Sequence, residues 1–260
     1  MLVGATVISE IPFFITILGG LIYLEVLSNK NEALEDEYKR LVVEKIIQPQ
    51  VNTYDIYLGS VGITEEEFRQ VNSERYDRYQ TEDLYMGTTK NDVPFRISYV
   101  RTSIDKNNYD EPVYKGLVSV ANLKKEYNGE LRLVYDRNES YSAIEKIGLK
   151  KVPINIPRVE VDSSEFEMNF DVYATDEIQA MQILTSDMME KIIAHWQEYY
   201  NFELTIKGNK LYLKMLCTEP FTYNEYGESI ITEYYLEASY MKFEKVFKLI
   251  DEIEKIVDNL

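Results

Sequence analysis

Phe202-Glu203-Leu204-Thr205-Ile206-Lys207-Gly208-Asn209-Lys210-Leu211-Tyr212-Leu213-Lys214-Met215-Leu216 is the stretch that decides the fold class. Apolar and polar residues alternate on both sides of Gly208-Asn209, a pair suited to the left-handed backbone of a two-residue hairpin turn. Pairing Lys207 with Lys210 sets the register. Ile206 then opposes Leu211, Leu204 opposes Leu213 and Phe202 opposes Met215 on one apolar face, while Glu203 meets Lys214 on the other as an exposed pair. Cys217 continues the apolar alternation and reads as a buried small hydrophobe.

Upstream, period-two patterning predicts an antiparallel meander between Asp83 and Asp136. Phe95, Ile97 and Tyr99 alternate with Arg96, Ser98 and Val100, followed by Leu117–Leu123 and Leu131–Tyr135. The connection Asp105–Pro112 holds Asp105, Asn107 and Glu111 but lacks the glycine and ligand spacing of a calcium loop, so it reads as a solvated turn. Helical spacing predicts a helix over Asn31–Ile47, stopped by Pro49. Ile63-Thr64-Glu65-Glu66-Glu67-Phe68 is a capping box, which accounts for its acidic triplet.

Pro153 and Pro157 mark a linker. Beyond it, Arg158–Val161 reads as a strand and Asp162-Ser163-Ser164 as the cap of a short helix containing Phe166 and Phe170. Met189, Ile192, Ile193, Trp196 and Tyr200 form the apolar stripe of a helix capped by Ser186 and Asp187, with His195 on its polar flank at the surface. Leu236, Phe243, Val246, Ile250, Ile253, Val257 and Leu260 predict a long C-terminal helix. Phe247, Leu249 and Ile256 widen its stripe, so it packs on its own domain, with oligomer formation as the second reading.

Met1–Ser28 contains no Lys or Arg, and Glu10 and Glu25 are its only charged side chains. A transmembrane helix of about 20 residues at Ile8–Leu27 puts both carboxylates at the interfaces. With no basic start and no small-residue cleavage site, the segment is expected to stay attached. Lys30, Lys39, Arg40 and Lys45 follow it, which places the remainder in the cytoplasm. The expected organisation is therefore α+β. A membrane anchor at 1–30 precedes a helix-plus-strand module at 31–150 and a second α/β module at 151–260 with the hairpin and the long helix.

The 260 residues carry a net charge of −17, which disfavours nucleic acid as a partner. One Cys and one His leave no disulfide framework, no structural zinc set and no Cys–His machine. The sequence identifies no cofactor, no metal site and no catalytic residue. Asp83, Asp162, Glu165 and Asp176 are carboxylates that could hold a divalent ion, and each also reads as a cap or a solvated side chain. Asn138-Glu139-Ser140 matches a glycosylation acceptor that a cytoplasmic domain would not expose to the enzyme.

The run Val161-Asp162-Ser163-Ser164-Glu165-Phe166-Glu167, then Phe170-Asp171-Val172-Tyr173-Ala174-Thr175-Asp176, Gln179-Ala180, Ile183-Leu184-Thr185 and Met188-Met189-Glu190 resembles the bacterial domain of unknown function 3137 family. Gly62–Phe68, Tyr114-Lys115-Gly116-Leu117, Lys210-Leu211-Tyr212 and Glu219-Pro220-Phe221 fall in the family's order, while Met181 stands where the family pattern places an arginine. The resemblance implies a membrane-associated prokaryotic protein with no assigned activity. Three readings stay open: a non-catalytic module that binds a protein partner, a carboxylate and divalent-metal hydrolase or transferase, and a lipid-handling domain.

Overall fold

The computed structural model describes residues 39–40, 43–106, 109–135, 154–199, 202–216 and 233–260. It is a mixed α+β fold built on an antiparallel sheet. The strands are β1 (Val51–Tyr57), β2 (Arg78–Thr89), β3 (Pro94–Asp105), β4 (Asp110–Tyr135), β5 (Arg158–Val159), β6 (Phe170–Ala174) and β7 (Glu203–Leu216), and the helices α1 (Glu65–Val71), α2 (Ser164–Glu167), α3 (Glu177–Ile183), α4 (Ser186–Tyr199) and α5 (Glu233–Asn259). The sheet order is β1-β2-β3-β4-β6-β5, with β7 pairing β4. Residues 39–40 and 43–46 are helical, within the helix expected over Asn31–Ile47.

The β7 segment is the expected hairpin. Lys214 Nζ lies 2.9 Å from Glu203 Oε1 although the two residues are 11 apart in sequence. An extended strand would hold them more than about 30 Å apart. The chain therefore reverses between them, and Gly208, at φ +57°, supplies the left-handed residue of the turn. β4 flanks both arms: Gly116–Asn122 pairs with Leu216–Lys210, and Glu130–Leu133 pairs with Lys207–Leu204. Between them, Asn122–Glu130 covers the same stretch as Lys210–Lys207, as the outer strand must when it passes around a turn.

On the first face of the sheet, Phe202, Leu204, Ile206, Leu211, Leu213 and Met215 are buried in the main core with Phe243, Val246, Phe247, Ile250 and Ile253 of α5. Each such side chain contributes roughly 1.5–3 kcal/mol by leaving water. Phe95 of β3 meets Phe247 of α5 with ring centroids 4.8 Å apart, so the C-terminal helix packs on its own domain. On the second face, α1 lays Phe68 and Val71 over Val100, Tyr114, Val118, Val120 and Tyr212. Its capping box is present as read: Thr64 Oγ1 accepts from Glu67 N, and Glu67 reaches back to Thr64 N.

Several local expectations are corrected. β1 and the first half of β2 precede the predicted start of the strand-rich region. Their alternation is weak because β1 lies at the sheet edge, where even core-side residues such as Tyr54 and Ile56 are only half-buried. Gly87 permits the close approach of β1, since a Cβ there would stand 1.9 Å from the Thr53 carbonyl oxygen. The helix after Pro157 is capped by Ser163 and ends at Glu167, so Phe170 belongs to β6 rather than to the helix. Strand β5 is the two-residue piece Arg158–Val159.

The boundary expected at 150/151 falls in residues outside those described. β4, on one side of it, pairs with β6 and β7 on the other. The segment Ile8–Leu27 also lies outside the described residues, and among the described ones no helix is long and apolar enough to cross a membrane.

Candidate functional site

The sheet ends at β1, which pairs with β2 and, among the described residues, with no strand on its outer side. On the second face this end carries Thr53 opposite Thr88, Asp55 opposite Met86 and Tyr57 opposite Leu84. Thr53, Asp55 and Tyr57 are exposed, and Leu84 and Met86 are half-buried. Tyr57, at the end of this strand, and Val61, in the loop that follows, are each 49% exposed. On the first face the same strand presents Tyr54 and Ile56, which pack against the main core.

Loop residues past Tyr57 are fixed to the sheet by Asp83. Gly59 N donates to Asp83 Oδ1 at 2.9 Å, and Asp83 N donates to Gly59 O at 2.9 Å. Lys39 Nζ is 2.7 Å from Asp83 Oδ2 with both side chains largely buried. Asp83 holds φ +56°, a conformation that costs a non-glycine residue energy and that these contacts maintain. Alongside lies a cleft of about 420 Å³ lined by Ser60, Tyr79, Gln80, Thr81, Glu82, Tyr99 and Arg101, in which Arg101 is paired with Glu82 at 2.9 Å.

A second group of charges is sealed under the segment that follows α1. Lys214 Nζ contacts Glu203 Oε1 at 2.9 Å and Glu74 Oε2 at 3.3 Å, and lies 4.9 Å from the Tyr114 ring centroid. Ser73 Oγ donates to Glu203 Oε1 at 2.7 Å, and an Arg132 NH2 group donates to Asn72 O at 2.7 Å. Burial lowers the Arg132 guanidinium from its ordinary value, opposed by Glu203 and Glu130. Two cations balance two carboxylates, and Lys214 has no solvent exposure. The expectation that Glu203 and Lys214 form an exposed pair is therefore overturned, because α1 and Asn72–Glu74 cover this half of the second face.

Asp176 caps α3, accepting from Gln179 N at 3.0 Å. Asp162 and Glu165 are exposed. No group of three or more His, Cys, Asp or Glu able to hold a metal occurs among the described residues, so the structure does not bring the four carboxylates together. Arg78 binds both Asp105 and Asp110 at 2.7 Å, and Lys106 pairs with Glu111, which accounts for the loop that loosely resembles a calcium site. Glu67, beyond its cap, takes both Arg96 NH groups and Lys210. Burial pushes its carboxyl up, but Arg96 and Thr64 outweigh that and hold it below the usual range.

His195 is not a surface residue. It is 7% exposed, with Nδ1 2.8 Å from Lys191 O and Nε2 2.8 Å from Lys245 O, so it ties α4 to α5. Position on the polar flank of one helix did not disclose that α5 covers that flank. Cys217 and Asn138-Glu139-Ser140 lie outside the described residues.

The chain belongs to the family described as Protein of unknown function (DUF3137), whose model matches residues 112–259, from β4 to the end of α5. No curated protein matches it. Among solved structures it is similar to the crystal structure of the mycobacterial trehalose monomycolate transport factor A, at TM-score 0.46 and 9% identity, over 86% of this chain and 96% of that one.

Proposed function

We propose that this protein is a non-catalytic module that binds a protein partner and is held at the cell membrane by Ile8–Leu27, with the acidic α+β domain on the cytoplasmic side. The observation that carries the reading is the end of the sheet at β1, which has no outer strand among the described residues. Tyr57, half exposed there, lies opposite the half-buried Leu84. An edge of this kind offers backbone donors and acceptors to an added strand. The charged side chains around it are engaged in holding the fold, as the Asp83–Lys39 and Arg101–Glu82 pairs illustrate.

The test is photo-crosslinking in intact cells, with a photoreactive residue replacing Tyr57 in one strain and Ile178, 76% exposed on α3, in another. The reading predicts a discrete crosslinked protein in the membrane fraction from position 57 and none from 178. The same products from both positions, or none from either, would contradict it.

A further inference from the structure

We infer that the partner docks on β1 as an extended segment whose side chains alternate between apolar and basic, adding an antiparallel strand to the sheet. The inference rests on the protein-binding reading above and names the chemistry of the segment. A strand laid on an edge sends successive side chains to opposite faces, so its sequence is selected by what each face of the edge presents.

The two faces of β1 differ. Toward the first face, Tyr54 and Ile56 are half-buried at the rim of the main core. An incoming apolar side chain beside them would extend that core by one strand and complete the burial of both. Toward the second face, Thr53, Asp55 and Tyr57 are exposed. Asp55 is the charged side chain of the strand Val51–Tyr57, and a Lys or Arg beside it forms a cross-strand pair. Tyr57 offers its ring to the aliphatic stem of the same residue or to its cation.

The charge of the whole chain, −17, acts in the same direction. It attracts a basic segment over a distance of about a Debye length and repels an acidic one. The same charge argues against a second copy as the occupant. Antiparallel pairing of β1 with itself brings two Asp55 side chains close together between two chains that each carry −17.

The geometry also sets how long the segment is. β1 pairs with β2 from Val51 to Tyr57, with a register shift between Val51 and Thr53. A bulge blunts that end of the edge for an added strand. The regular part is Thr53–Tyr57, so the docking core is about five residues, with the bound segment free to continue along the Ser60–Arg101 cleft past the end of β1.

The test uses the full-length chain and three fluorescent heptapeptides: Lys-Val-Lys-Ile-Lys-Val-Lys, the same composition in a non-alternating order, and the alternating peptide with Glu in place of Lys. Anisotropy measures binding, and hydrogen exchange reports on the Thr53–Tyr57 amides. The alternating basic peptide should bind at least about tenfold more tightly than either control, slow exchange within Thr53–Tyr57, and lose about tenfold with Asp55→Lys. Asp55 is exposed, so that variant should keep its melting temperature, measured alongside.

Equal binding of the two basic peptides, or binding without slowed exchange in β1, would overturn the inference as mere charge attraction. So would a concentration-dependent dimer that Asp55→Lys dissolves, which would give the edge to a second copy. If Tyr57 crosslinks a partner in cells while the alternating peptide gains nothing over its scramble, the protein-binding reading stands and the chemistry assigned to the segment fails.

Discussion

Lys214 Nζ and Glu203 Oε1 meet at 2.9 Å across the β7 hairpin, in a position closed to solvent by the segment Asn72–Glu74. Removing one member leaves an uncompensated charge in the buried group of Lys214, Arg132, Glu203 and Glu74, an effect of up to about 3–5 kcal/mol. Lys214→Met and Glu203→Gln should each lower stability strongly in urea titrations. The double variant Lys214→Met, Glu203→Leu should lose clearly less than the sum, since Arg132 and Glu74 still balance. Additive losses would show that the two side chains are not coupled.

Leu204 is 1% exposed in the main core. Leu204→Ala should cost about 2–5 kcal/mol through lost burial and the cavity it leaves, and Leu204→Asp should prevent folding by placing an unpaired charge there. Circular dichroism of the two purified variants checks the ordering. A folded Leu204→Asp protein would contradict the placement.

Glu67 is held below the usual carboxylate range in the folded chain, so its contribution is present above its unfolded value and is lost as pH falls through the folded one. Asp251 behaves in the opposite sense. Burial pushes its carboxyl up, against the hydroxyl of Thr89 and the charge of Lys124, so its contribution is full below its unfolded value and is lost as pH rises through the folded one. Between pH 6 and about 3, a range spanning ordinary carboxylate values, Glu67→Gln should flatten the acid-side loss of melting temperature. Asp251→Asn should instead steepen it. Indistinguishable profiles would contradict both assignments.

His195 places its two ring nitrogens 2.8 Å from Lys191 O on its own helix and from Lys245 O on α5. His195→Ala removes the link between α4 and α5 and should cost about 1–2 kcal/mol, seen as a fall in melting temperature of roughly 2–8 °C. Compared at matched folded protein, it should still complement a deletion strain. A folded variant that fails to complement would give the imidazole a functional role.

Local patterns were legible where one element determines its own outcome. The Gly208-Asn209 turn, the Glu203–Lys214 register and the Thr64–Glu67 capping box all follow from short-range geometry, and each is present. What covers an element was not legible. Glu203 and His195 both sit on polar positions of their own strand or helix, yet segments distant in sequence bury them, 130 residues away for Ser73 on Glu203 and 50 for Lys245 on His195. β1 was missed for a related reason: at a sheet edge neither side is fully buried, so alternation fades. That β1 ends the sheet among the described residues becomes visible only when the strand order is known.

The most direct test of the account compares full-length wild type with Asp55→Lys in a deletion strain. A lysine on an edge strand opposes strand addition and reverses the local charge without disturbing the core. The account predicts that Asp55→Lys protein is folded, fractionates with membranes as the wild type does, and fails to complement. Full complementation by that folded variant would contradict the claim that this protein works through the edge of β1.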